Sequence, residues 1–267
     1  MTALMPAGGA LRSRLDGTPL LVMLDVDGTL APITSRPEEA VVPPETRRAV
    51  AALAAHDGVI VALVSGRSAS DARRMVAVAN VWVIGNHGCE VVSPDGENAV
   101  DPGVEPFRSA LARTYAAIAS QTAPVEGVIA ENKVWTLSVH YRLADPGVVP
   151  RLRATVDDIV RRHGLVMTEG KAIFEVRPPV DVHKGTAVLA LAERLGGLAR
   201  GASLVFIGDD RTDEDAFRSL RERGAAAVTV RVTGSEMGTD LGTAAEYAAP
   251  DPETIREFLE WLAAERP

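Results

Sequence analysis

The sequence predicts an α/β fold, a parallel sheet flanked by helices and interrupted by a smaller inserted α/β domain. Three observations predict it. Short, wholly apolar runs end at Asp, Ser or Gly, helical patterns separate those runs, and the middle of the chain changes to alternating polar and apolar residues. Apolar runs rich in Val, Ile and Leu mark strands buried on both faces. Their alternation with helices implies parallel pairing through crossovers, so the core is expected to be Rossmann-like.

The elements follow in order. The run 20–24 ends at Asp25. A helix is expected over 44–56, opening on Pro-Pro-Glu and closing before Asp57-Gly58. The run 59–64 ends at Ser65-Gly66, and a helix over 68–79 opens with Ser68 and Asp71 at capping-box spacing. The run 81–84 ends at Gly85-Asn86. After the insertion come a helix over 185–195, a run 204–207 ending at Gly208-Asp209-Asp210, and a run 226–230. The insertion itself reads as a helix over 104–120, a hairpin from 128–133 and 135–142, a helix over 148–163, and a second hairpin from 165–168 and 172–177 around Glu169-Gly170. Its period-two strands have one packed face and one open face. Its boundaries are expected near 104 and 178, beside Asp101-Pro102 and Pro178-Pro179, leaving 1–103 and 179–267 as the core.

Composition narrows the function. The 267 residues are 46% apolar and 24% charged, with a net charge of −8. That balance suits a globular protein and argues against general nucleic-acid binding, which needs a basic excess. It leaves room for a small phosphorylated substrate held by a local cluster. Cys89 is the single cysteine, so no intrachain disulfide can form, and it reads as a small buried residue in a reducing compartment. The first twenty residues lack a signal-peptide run, and no apolar stretch reaches membrane-spanning length. A cytoplasmic monomer without membrane or nucleic-acid partners is expected.

In open α/β sheets, ligands bind beyond the carboxyl ends of the strands. Four polar segments fall there. Asp25-Val26-Asp27-Gly28-Thr29 places two carboxylates on the same side of an extended chain, one suited to attack phosphorus and the other to proton transfer. By itself the segment reads equally as a turn. Ser65-Gly66-Arg67-Ser68 offers a hydroxyl and free N–H groups to an anion, or simply a helix cap. Lys184 stands at a helix start, where a positive charge opposes the helix dipole unless an anion faces it; it reads equally as a surface lysine. The segment 208–215 packs Asp209, Asp210, Asp213, Glu214 and Asp215 behind a strand. Asp213 to Asp215 suit a first helical turn, whereas Asp209 and Asp210 at a strand end beside Asp25 and Asp27 call for a cation. Hard oxygen ligands and a phosphorylated substrate point to Mg²⁺.

In this order the four segments resemble the haloacid dehalogenase (HAD) superfamily of phosphatases, and within it the trehalose-6-phosphate phosphatases. Ser65-Gly66-Arg67, the string Gly85 to Glu90, Glu175-Val176-Arg177-Pro178, Lys184-Gly185 and above all Gly208 to Glu214 carry the resemblance, which spans roughly residues 20–262. It implies a HAD fold whose insertion is a cap domain that reads the sugar. It implies that Asp25 is the nucleophile forming an aspartyl-phosphate and that Asp27 is the acid and base. Asp25, the backbone carbonyl of Asp27 and Asp209 would hold Mg²⁺, while Ser65 and Lys184 bind the phosphoryl oxygens. Asp213 orients the metal shell, and Asp210 touches either the metal or its water. Gly66 and Arg67 fall among substrate-binding positions.

Cap recognition is expected from Glu131, Lys133, His140, Arg142, Lys171 and Glu175, each of which also reads as part of a solvated sheet face. Period-two geometry groups Trp135, Leu137, Val139 and Tyr141 on one face and Thr136, Ser138, His140 and Arg142 on the other. Hydrolysis of trehalose 6-phosphate is the leading expectation. A phosphatase for sucrose phosphate or mannosylglycerate phosphate, a mutase using the same aspartyl-phosphate, and a non-catalytic sugar-phosphate binder are the alternatives.

Overall fold

A computed structural model of the protein describes residues 1–4, 9–34, 39–170, 172–234 and 242–266. The chain divides into two units, Met1–Ala99 with Val182–Pro267, and Val100–Asp181. In chain order the elements before the second unit are β1 (Thr2–Ala3), α1 (Gly9–Arg14), β2 (Leu20–Leu24), α2 (Pro44–Ala54), β3 (Val59–Val64), α3 (Ala69–Val76), β4 (Val81–Gly85), β5 (Glu90–Val92) and β6 (Asn98–Val100). The second unit holds α4 (Arg108–Thr122), β7 (Ile129–Asn132), β8 (Leu137–His140), α5 (Val149–Arg162), β9 (Val166–Gly170) and β10 (Ile173–Arg177). The chain then returns to the first unit with α6 (Lys184–Arg194), β11 (Ser203–Gly208), α7 (Arg211–Glu222), β12 (Ala227–Val232), β13 (Tyr247–Ala249) and α8 (Pro252–Ala264).

In the first unit the strands order as β1-β13-β12-β11-β2-β3-β4-β5-β6. Pairing is parallel from β1 to β4 and turns antiparallel at β5. The central strand β2 is buried along its length, and its side chains alternate between two cores as strand geometry requires. Leu20, Val22 and Leu24 meet Val50 and Leu53 of α2 and Ile255, Phe258 and Leu259 of α8. Leu21 and Met23 meet Val188 and Leu191 of α6 and Phe217 and Leu220 of α7. A strand covered by helices on both faces has no place for polar alternation, which is why its sequence is continuously apolar. Register then sets the site. Leu24 pairs with Ile207 on one side and Leu63 on the other. Asp25, Ser65 and Asp209 therefore emerge together at one edge of the sheet.

Helix ends depart from the sequence expectation for local reasons. α3 begins after Ser68, whose Oγ accepts the Asp71 N–H at 3.2 Å, but it stops at Val76 because Ala77 adopts φ +53°. α6 begins at Lys184 rather than 185, because His183 caps it: Nδ1 accepts the Gly185 N–H, and Thr186 Oγ1 accepts the His183 N–H. The expectation offers 213–215 only as a first helical turn, without a helix range, and places nothing after 230, whereas α7 runs over Arg211–Glu222 and β13 and α8 follow. α8 carries a sequence-visible cap, Asp251 Oδ1 accepting the Thr254 N–H at 2.8 Å.

The second unit is a four-stranded antiparallel sheet in the order β7-β8-β10-β9. Leu137, Val139, Phe174 and Val176 face α4 and α5 through Leu111, Ile118, Leu152, Val156 and Val160. Two expectations are corrected here. β8 covers only 137–140, so Arg142 lies beyond it in an exposed turn and outside the alternation assigned to it. β9 runs through Glu169 and Gly170, which pair with Phe174 and Ile173, so these two residues are strand rather than turn.

Candidate active site

The site of the first unit grows out of three adjacent strand ends and one helix start. Asp25 follows β2, is 3% exposed, and donates its N–H to the Ile207 carbonyl at 2.9 Å. Gly28, at φ +88°, turns the chain back so that its own N–H reaches the Ala31 carbonyl. A Cβ on Gly28 would lie 2.3 Å from Asp209 Oδ2, so this close approach of the two loops requires glycine. Lys184, fully enclosed at the start of α6, sends its Nζ to Asp25 Oδ1 at 2.7 Å and to Asp213 Oδ1 at 2.9 Å, with Asp210 Oδ1 at 4.0 Å.

The acidic segment sorts itself by the winding of α7. Asp210 caps the helix, its Oδ1 accepting the N–H groups of Thr212 and Asp213 at 2.8 and 3.0 Å. Asp213 Oδ2 reaches back to accept the N–H groups of Asp209 and Asp210 at 3.0 and 3.1 Å. Glu214 turns elsewhere, accepting the Ala244 N–H and lying 3.6 Å from the Arg231 guanidinium. Asp215 pairs with Arg218 on the exposed side. Of the five carboxylates, Asp209, Asp210 and Asp213 thus belong to the site.

Burial pushes the carboxyls of Asp25 and Asp213 well above the ordinary carboxylate range, and Lys184 pulls both back only in part. Burial also works against the Lys184 ammonium, but Asp213, Asp25 and Asp210 outweigh it and hold Lys184 well above its ordinary value. For Asp210 the same burial is overcome by Lys184 and by bonds around the helix start, which bring it down to about 2. One ammonium does not balance Asp25, Asp209, Asp210 and Asp213. Oxygens of Asp25, Asp209 and Asp213 lie within 4.8 Å of one another, an all-oxygen donor set that fits a hard divalent cation. Both Asp213 oxygens already carry bonds to Lys184 and the loop N–H groups, so Asp25 and Asp209 are the better placed to ligate.

Ser65 follows β3, is buried, and accepts the Arg67 N–H on Oγ at 3.1 Å. Its loop is tied to the next one: the Asn86 N–H donates to the Arg67 carbonyl at 2.7 Å and the His87 N–H to the Ser65 carbonyl at 3.0 Å. The His87 ring packs on Gly66, where a Cβ would stand 2.4 Å from Cε1. Buried Glu90 fastens both loops, its Oε1 accepting the Ala69 N–H and Asn86 Nδ2, each at 2.8 Å. In the sequence, Gly85 to Glu90 belongs to a family string in which His87 reads as lining the cleft or capping a loop, while Asn86 and Glu90 carry no role of their own; their spacing is the available signal. The Arg67 guanidinium is engaged by two carboxylates. Its Nε and Nη2 grip both oxygens of Asp27 at 2.7 Å, and Nη1 reaches Asp71 at 3.0 Å. Burial works against the Arg67 charge, but Asp27 and Asp71 more than offset it and raise its pKa.

In the second unit, four of the candidates gather on the sheet face away from the helices. His140 Nε2 lies 3.0 Å from Glu131 Oε2, and Lys133 Nζ lies 4.0 Å from Glu131 and 3.8 Å from Glu175. Ser138, in register with both Glu131 and Glu175, sits between them with a buried hydroxyl that has no hydrogen-bond partner among the described residues. Arg142 lies in the turn after β8, and Lys171 lies outside the described residues.

The sequence profile of the family described as Trehalose-phosphatase matches residues 23–253. A trehalose-phosphate phosphatase of Mycobacterium tuberculosis is 33% identical over 243 residues, covering 91% of this chain and 61% of that protein. An uncharacterized glycosyl hydrolase of the same organism is 36% identical over 258 residues, covering 96% of this chain but 19% of its own length. The chain thus spans less than two thirds of either relative. Among solved structures, a trehalose-6-phosphate phosphatase related protein superposes with a TM-score of 0.78 at 26% identity, covering 91% of this chain and 97% of that one.

Proposed function

The chain belongs to the trehalose-phosphatase family, and from that premise we propose that it hydrolyses trehalose 6-phosphate to trehalose and inorganic phosphate through an aspartyl-phosphate on Asp25. The observation that carries the chemistry is the buried Asp25–Lys184–Asp213 arrangement beside Asp209 at the carboxyl edge of the sheet. The sugar is carried by the relatives, two of which bear trehalose phosphate in their names.

In the first half-reaction, an oxygen of Asp25 attacks phosphorus and the bond from phosphorus to the sugar O6 breaks. Asp27 hands its proton to the departing sugar oxygen. In the second half-reaction, Asp27 takes a proton from water as that water attacks phosphorus. The bond from phosphorus to Asp25 breaks, the carboxylate returns and inorganic phosphate leaves. Lys184 offsets charge on the phosphoryl oxygens, and Ser65, whose Oγ accepts the Arg67 N–H, keeps its own O–H to donate to them. Asp25, Asp209 and the Asp27 carbonyl would hold Mg²⁺, which stabilises charge developing on the phosphoryl group. Asp213 aligns Lys184 and the Asp209 loop, and Asp210 holds the helix start.

The inserted segment, residues 104–178, acts in this reading as the cap that selects the sugar. Glu131, Lys133, His140 and Glu175 form a polar face suited to sugar hydroxyls, with Ser138 at its centre. Cytoplasmic residence belongs to the same proposal and rests on the single cysteine.

A substrate panel with and without Mg²⁺ tests the proposal. Trehalose 6-phosphate is expected to outpace sucrose phosphate, mannosylglycerate phosphate and glucose 6-phosphate, and EDTA to abolish turnover. Equal rates across the panel would overturn the sugar assignment, and an unchanged rate in Asp25→Asn would overturn the mechanism. Phosphate release without an acceptor sugar separates hydrolysis from mutase chemistry.

A further inference from the structure

We propose that Arg67 is the positioning residue of Asp27, and that Asp71 holds Arg67 to that task. The inference rests on the acid/base reading of Asp27 given above. Asp27 projects from the turn after β2 with 39% of its side chain exposed. Among the described residues, the only side-chain bonds on its carboxylate are the two from Arg67, both 2.7 Å. An exposed aspartate without such bonds samples several rotamers, and a proton-transfer group needs one.

The fork supplies that one. Two parallel N–H···O bonds from a planar guanidinium fix the plane of the carboxylate as well as its place, which a lysine cannot do. They use one lone pair on each oxygen and leave the second for the proton in transit. Arg67 is itself anchored. Its side chain is 13% exposed, its N–H is bound by Ser65 Oγ, and its carbonyl is bound by the Asn86 N–H. Asp71 takes the third guanidinium contact at 3.0 Å and is held in turn by Arg74 and by the Ser68 cap of α3. A line of alternating charge, Arg74–Asp71–Arg67–Asp27, thus runs from a helix to the proton-transferring carboxylate. The same loop carries Ser65, so one short segment sets both the phosphoryl contact and the acid/base orientation.

This assignment differs from direct substrate binding by Arg67 in what it predicts. A positioning residue lowers kcat and leaves KM nearly alone, whereas a substrate ligand raises KM. The test measures kcat and KM in Mg²⁺ for trehalose 6-phosphate and for 4-nitrophenyl phosphate, whose leaving group needs no proton. Positioned proton transfer contributes about 10²–10⁴-fold, so Arg67→Lys, which keeps the charge and loses the fork, is expected to lower kcat on the sugar ester roughly 10–100-fold. Its KM should stay within about threefold, and the loss on the nitrophenyl ester should be smaller. Added guanidinium should restore part of the kcat of Arg67→Ala, and Asp71→Asn should fall between wild type and Arg67→Lys. A raised KM with unchanged kcat in Arg67→Lys, or wild-type kinetics throughout, would overturn the proposal. Asp27→Asn keeps the two failures apart. If it retains full rate on the sugar ester, the acid/base reading falls; if it is inactive while Arg67→Lys is unaffected, only the positioning role falls.

Discussion

Replacing Lys184 by methionine removes the ammonium and keeps the length of the side chain. Lys184 is enclosed, 2.7 Å from Asp25 and 2.9 Å from Asp213, so the variant leaves two buried carboxylates without their shared cation. Breaking a buried pair by removing one partner costs about 3–5 kcal/mol. The carboxylates limit that cost by taking up protons, because burial already holds both above the ordinary range. A buried carboxyl with a raised folded pKa stabilises the protein fully at low pH and loses that contribution as pH rises above about 4 and through the raised value. Lys184 itself stays charged across this window, since its own pKa is raised. The deficit of the variant is therefore expected to reach about 3–5 kcal/mol at pH 8 and to shrink by up to about 1.4 kcal/mol per pH unit for each proton it alone retains. Urea unfolding in EDTA at pH 8.0 and 5.5 measures this. Trp82 and Trp261 lie in the first unit and Trp135 in the second, so a Trp135→Phe background makes fluorescence report the site-bearing unit alone. A deficit under about 1 kcal/mol at both pH values would refute the reasoning, because it would mean that the two carboxylates are solvated well enough not to need Lys184.

Gly28→Ala is expected to weaken divalent-cation binding and to cost about 1–3 kcal/mol, since it meets both a positive φ and Asp209 at 2.3 Å; calorimetric titration with Mg²⁺ and urea unfolding measure the two effects. Glu90→Ala strands the Ala69 N–H and the Asn86 amide, a loss of about 1–3 kcal/mol, and the loosened Ser65 loop should weaken product inhibition by inorganic phosphate. Mg²⁺ should stabilise the wild type more at pH 8 than at pH 5, since a cation replaces the protons that Asp25 and Asp213 otherwise hold; thermal shifts across that range check the sign.

What was legible in the sequence divides by the range of the physics involved. The strands β2, β3, β4 and β11 were legible because burial on both faces forces continuous apolar runs, and a polar residue can appear only where the strand leaves the sheet. Asp25, Ser65 and Asp209 declare themselves by that placement. Helix ends were less legible, because Ala77 closes α3 in a left-handed conformation that no glycine announces. The β9–β10 turn was misplaced for a related reason: Glu169-Gly170 is good turn chemistry, yet pairing with Phe174 and Ile173 keeps it in the strand. Least legible were the partnerships. Nothing in the spacing says that Arg67, forty residues from Asp27, closes a fork on it, or that Glu90 ties the Ser65 loop to Asn86. Such pairings depend on which loops the sheet order brings together. They also give Ser-Gly-Arg, weak as a lone anion-binding signal, three separate tasks in the proposed mechanism: the serine would face the phosphoryl position, the glycine admits the His87 ring, and the arginine, bonded to Asp27, would orient that carboxylate. If that division of labour holds, the segment's three residues should fail separately, Ser65→Ala in phosphate affinity, Gly66→Ala in loop packing and Arg67→Lys in turnover.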